Sequence, residues 1–76
     1  MKEIINILKK INNTIDYEKE INMVERGLFS SFDILQCITE IEEEFNIEIP
    51  PEYINHDNFS SAQNIHKMIE NIKSKI

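Results

Sequence analysis

The chain has 76 residues, 8 basic and 14 acidic, with a net charge of −6, which leaves room for one domain and sets it against nucleic acid phosphates. Apolar residues make up 41% of it, too many for a disordered chain, while one glycine and two prolines are too few for the turns of a small sandwich or barrel. A lone cysteine, Cys37, cannot form an internal disulfide, and no apolar run has the length of a membrane span or the build of a secretion signal. The expectation is a single helical domain over residues 1–76, free-standing, monomeric and cytoplasmic. Its acidity serves solubility alone, or it speeds encounter with basic patches on other proteins.

In chain order, Ile4, Ile5, Leu8 and Ile11 recur at helical spacing and predict a first helix from about Lys2 to Asn13. Asn12-Asn13-Thr14 reads as its stop. Residues 15–29 hold Ile21, Met23, Val24, Leu28 and Phe29 without a clean period, which predicts a long loop. A loop of that length in so small a domain is often functional.

The second helix has the clearest signals. Ser30 followed by Asp33 fits a capping box, with Asp in place of the preferred Glu or Gln. Leu35, Ile38, Ile41 and Phe45 define its expected buried face. Glu40, Glu42, Glu43 and Glu44 crowd its end, against the helix dipole, which suggests that the acidity answers another need. Asn46 ends the helix, and Ile47-Glu48-Ile49 reads as an extended linker that buries Ile49.

Pro50-Pro51 favours an extended approach and then a short helix, since proline suits the first helical position. Tyr53, Ile54 and Phe59 are assigned to the core. The last helix is expected to start near Ser60-Ser61, with Ser60 and Gln63 as a second capping box and Ile65, Met68, Ile69 and Ile72 as its apolar stripe.

Little here suggests catalysis. One glycine builds no phosphate loop, there is no Gly-x-Ser-x-Gly elbow, and His56 and His66 stand at no fixed spacing from a serine. Cys37, His56 and His66 match no zinc signature, so no metal is expected. Cys37 reads as a small, half-buried hydrophobe.

Gly27-Leu28-Phe29-Ser30-Ser31-Phe32-Asp33-Ile34 resembles the attachment motif of acyl and peptidyl carrier proteins, in which a glycine and an apolar pair precede Asp-Ser-Leu or Asp-Ser-Phe. Residues 42–50, Glu-Glu-Glu-Phe-Asn-Ile-Glu-Ile-Pro, resemble that family's acidic end of the second helix and its exit. Phe59-Ser60-Ser61 before Ile65 resembles the start of its last helix. The three landmarks follow one another in order between residues 27 and 65.

The resemblance implies an all-α, four-helix carrier-protein bundle with three main helices and a short third one. It implies that Ser31 carries 4′-phosphopantetheine, drawn from coenzyme A, whose thiol holds an acyl or aminoacyl cargo. A phosphopantetheinyl transferase would install the arm, a loading ligase or adenylating enzyme would charge it, and an acceptor acyltransferase or synthase would receive the cargo. Fatty acyl, polyketide, peptide and D-alanine pathways all use such domains.

The chain departs from the pattern at Ser30, where the family has Asp. That removes one negative charge and keeps open an unmodified carrier-fold interaction module. The second helix is expected to face partners. Phe32 is either an exposed apolar anchor or a core residue. Asp33, Gln36, Glu40 and Glu43 are candidates for meeting basic patches, or they form an ordinary solvated face.

Overall fold

A computed structural model describes residues 1–75. Helix α1 spans Lys2–Ile11, α2 spans Ser31–Phe45 and α3 spans Ala62–Lys73, with two 3-10 turns, Pro51–Tyr53 and Asp57–Phe59, between α2 and α3. The all-α reading holds, and no strand occurs among the described residues. The short third helix is realised as these two turns. Ile54 leaves helical geometry between them, at φ −88 and ψ 88. The Asn55 side chain then starts the second turn by accepting from the Asn58 amide at 2.9 Å.

α1 buries Ile4, Ile7 and Leu8 and packs against both α2 and α3. It stops at Ile11, two residues short of the expected end. Asn12 turns extended, and its side-chain oxygen accepts from the Thr14 amide at 3.0 Å, a local bond that competes with further helix.

The segment 12–30 has no regular helix, as expected, yet it supplies core. Ile15, Tyr17, Met23 and Phe29 are all buried. The Tyr17 hydroxyl donates to the Asn12 carbonyl and lies 3.0 Å from that of Leu8, tying the loop to the end of α1. The Met23 amide donates to the Ser60 carbonyl at 2.9 Å, tying it to the start of α3.

One helical turn then closes in a Schellman motif. The Leu28 amide reaches the Met23 carbonyl at 2.9 Å and the Gly27 amide reaches Val24 at 3.0 Å, with Gly27 left-handed at φ +76. Space around Gly27 is open, so only backbone strain opposes a side chain. Gly27→Ala is therefore expected to cost about 1 kcal/mol in urea unfolding, and Gly27→Asn less. Equal stability of all three chains would contradict the motif.

α2 buries Ile34, Cys37 and Ile41, a face rotated from the expected one. Leu35 is 62% exposed, and Ile38 and Phe45 are half-buried. Apolar residues wrap more than one side of this helix, so their spacing alone does not say which side is covered. Cys37 is fully buried, where half burial was expected. At the far end Asn46 adopts the left-handed conformation, at φ 53 and ψ 50, which asparagine tolerates. The Glu42 carboxylate accepts from the Ile49 amide at 2.9 Å. One of the crowded glutamates thus holds the exit of the chain while Ile47 and Ile49 are buried.

The start of α3 also corrects expectation. Its cap is Ser61, whose hydroxyl accepts from the Asn64 amide at 3.0 Å, and Ser60 forms no capping box with Gln63. The Ser60 carbonyl instead takes the Met23 amide, and its hydroxyl donates to the Asp57 carbonyl at 2.8 Å. Ile65, Met68, Ile69 and Ile72 are buried as expected, as is Phe59; Tyr53 is half-buried against the core, and Ile54 lies outside it, 44% exposed.

Candidate functional site

The N-terminus of α2 is fixed by two side chains that leave the next one free. The Ser30 hydroxyl accepts from the Asp33 amide at 3.2 Å, and an Asp33 carboxylate oxygen accepts from the Ser30 amide at 2.9 Å. The capping box read from the sequence is complete. Phe29 and Ile34 occupy the two positions of a hydrophobic staple around it, and both are buried.

Ser31 is the first helical residue and is exposed. No hydrogen bond engages its hydroxyl among the described residues. The amides of Ser31 and Phe32 lie in the first turn, where helix geometry provides no acceptor, so they add to the positive end of the helix dipole. An open cleft of about 320 Å³ lies beside Ser31, lined also by Ile34, Leu35, Ile54, Asn55 and His56.

Phe32 is 81% exposed, which removes the core reading of this residue. Leu35 and Ile54, both assigned to the core from the sequence, are exposed and line the cleft beside Ser31. Their signal was present in the surplus of apolar residues on α2 and in the apolar Ile54 shortly after Pro50-Pro51, but it did not distinguish a presented side chain from a packed one. Gln36, Glu40 and Glu43 line one shallow groove with Leu35 and Thr39. Glu40 also faces Lys10 of α1 at 3.6 Å, an exposed pair of small energetic weight. Asp33 is set apart from these three, since its carboxylate is engaged in the cap.

Cys37, His56 and His66 do not come together. Cys37 is buried, His56 is exposed in the cleft, and His66 is half-buried on α3. No cluster of three His, Cys, Asp or Glu side chains occurs among the described residues. No helix among them is long and apolar enough to cross a membrane.

No family model matches the chain. It is similar to D-alanyl carrier proteins. The one from Lactococcus lactis subsp. lactis (strain IL1403) is 26% identical, over 99% of each chain. Those from Lactococcus lactis subsp. cremoris (strains MG1363 and SK11) are 29% identical, over 86% of each. The similarity therefore takes in the capped start of α2 together with the rest of the fold.

Beneath α2, burial pushes the Cys37 thiol from 9.0 up to about 12, with Glu40 adding to the rise. Burial pushes the Tyr17 phenol from 10.0 up to about 12 as well, helped by Asp33 and then Cys37. Above about pH 9 the unfolded chain sheds protons that the folded chain keeps. Stability is thus complete below that pH and lost as pH rises toward 12, at a limiting slope of about 1.4 kcal/mol per pH unit for each group. Urea unfolding between pH 7 and 11 is expected to show this fall, and Cys37→Ala is expected to flatten its first part. A flat profile for the unaltered chain would contradict the burial of both groups.

Proposed function

We propose that this chain is a carrier protein that holds an acyl or aminoacyl group on a 4′-phosphopantetheine arm esterified to Ser31. The observation that carries the reading is the division of labour at the start of α2: Ser30 and Asp33 are consumed by the cap, and the Ser31 hydroxyl is exposed and uncommitted. The residues present fit a phosphodiester, because first-turn amides and the dipole favour negative charge at this helix end. The arm supplies a terminal thiol that holds cargo as a thioester, so the chemistry resides in the cofactor and in partner enzymes.

The protein's share is presentation. The cap and staple hold Ser31 at a fixed end of the molecule. Phe32, Leu35 and Ile54 offer apolar anchors around it, and Gln36, Glu40 and Glu43 offer a polar, acidic margin to basic surfaces. The partners are a phosphopantetheinyl transferase, a loading ligase or adenylating enzyme, and an acceptor acyltransferase or synthase. D-alanine, named for the Lactococcus lactis relatives, is the favoured cargo.

Intact mass tests this reading. Incubation with coenzyme A and a broad-specificity phosphopantetheinyl transferase is expected to add one phosphopantetheinyl group. Further incubation with D-alanine, ATP and a D-alanine-activating ligase is expected to add one alanyl group that hydroxylamine removes. No gain with several transferases would leave an unmodified interaction module instead.

A further inference from the structure

The cleft beside Ser31 has an uneven chemistry. Ile34 and Leu35 wall it from α2, and Ile54, Asn55 and His56 line it from the connection between the two 3-10 turns. His56 is the one side chain of this lining that can become cationic, and no acidic side chain is part of it. Of the nearest acidic residues along the chain, neither forms an ion pair with His56 among the described residues. Asp33 is bound to the Ser30 amide, and Asp57 is exposed on the second 3-10 turn. Asn55 uses its side-chain oxygen on the Asn58 amide, which fixes the segment that carries His56.

Resting on the reading of Ser31 as the arm's attachment point, we propose that His56 is the charge partner of the phosphodiester on Ser31 and holds the base of the arm in this cleft. A phosphodiester carries one negative charge across the neutral range. A protonated imidazole lining the same open cleft as Ser31 offers that charge an opposite charge and a hydrogen-bond donor. The pairing requires a protonated imidazole, so loss of that proton releases the base of the arm. His56 is here a positioning residue: it sets how the arm leaves the surface and takes no part in bond making.

The test uses the arm-loaded protein, its loading first verified by intact mass. The phosphorus-31 resonance of the phosphodiester is followed from about pH 5 to 8. The diester does not titrate there, so any movement reports a neighbour that does. The expected result is a shift that follows one titrating group, lost in His56→Gln and kept in His66→Gln, whose imidazole lies on α3 away from the cleft lining. A flat resonance in the unaltered protein, or a shift that survives His56→Gln, would overturn the proposal. Failure to load the arm would be seen beforehand as a missing mass gain and would count against the carrier reading, separately from this one. His56 is exposed, so the variant is expected to keep the fold, and an unchanged urea midpoint checks that directly.

Discussion

Phe29→Ala is expected to remove about 3–5 kcal/mol of stability, and Phe32→Ala less than about 0.5 kcal/mol. The two phenylalanines stand three residues apart on either side of the serine pair. Phe29 is 1% exposed, and Phe32 is 81% exposed. Phe29 occupies the position before the cap of α2, its amide bound to the Met23 carbonyl at 3.0 Å, while its ring belongs to the same core as Ile34. Removing it opens a cavity under the Schellman turn and the capping box together. A domain of this size has a total stability of about 4–11 kcal/mol, so Phe29→Ala is expected to leave a large unfolded fraction in the absence of denaturant. Urea unfolding followed by circular dichroism measures both variants. Similar losses in the two would mean that α2 is rotated about its axis from the orientation described, and the exposed apolar surface around Ser31 would go with it.

Much of this architecture is legible in the amino-acid order, for reasons that differ from element to element. The start of α2 could be read because a capping box is local: Ser30 and Asp33 find each other within one turn, whatever the rest of the fold does. The stripe of α3 could be read because its apolar residues occupy one face only. On α2 the same method chose Leu35, Ile38, Ile41 and Phe45 as a buried face, whereas Ile34, Cys37 and Ile41 are the buried set. Both faces carry large aliphatics, one for the core and one presented to solvent, and periodicity weighs them equally. The cap of α3 was displaced by one residue because Ser60 and Ser61 are chemically equivalent. Only the long-range bond from the Met23 amide assigns the Ser60 carbonyl elsewhere.

The segment 12–30 was the least legible stretch. Its order comes from contacts distant in sequence, such as Met23 with Ser60 and Asn12 with Leu28, which leave no local period. Its length was nonetheless informative, since the loop ends in the Schellman turn and the staple that set the position of Ser31. Of the candidate site, the serine pair and Phe32 were found from the sequence. Leu35, Ile54 and His56 required the fold: apolar spacing had put Leu35 and Ile54 in the core, and the short helix read after Pro50-Pro51 is two 3-10 turns whose connection brings Ile54 and His56 to the cleft.

Ser31→Ala is expected to abolish arm attachment entirely, and Ser30→Ala to preserve it. The two hydroxyls are neighbours on the chain with different engagements. Ser30 accepts from the Asp33 amide and caps the helix, so its loss is expected to cost about 1 kcal/mol of stability while leaving the attachment hydroxyl intact. Ser31 contributes nothing to the cap, so its loss is expected to leave stability nearly unchanged while removing the only nucleophile the account allows. The pair of variants therefore separates folding from function in opposite directions. The decisive measurement is the intact mass of the unaltered chain, Ser30→Ala and Ser31→Ala after incubation with coenzyme A and a phosphopantetheinyl transferase. A gain of one phosphopantetheinyl group in the first two and none in Ser31→Ala is the predicted result; a gain that persists in Ser31→Ala, or none in the unaltered chain, would contradict it.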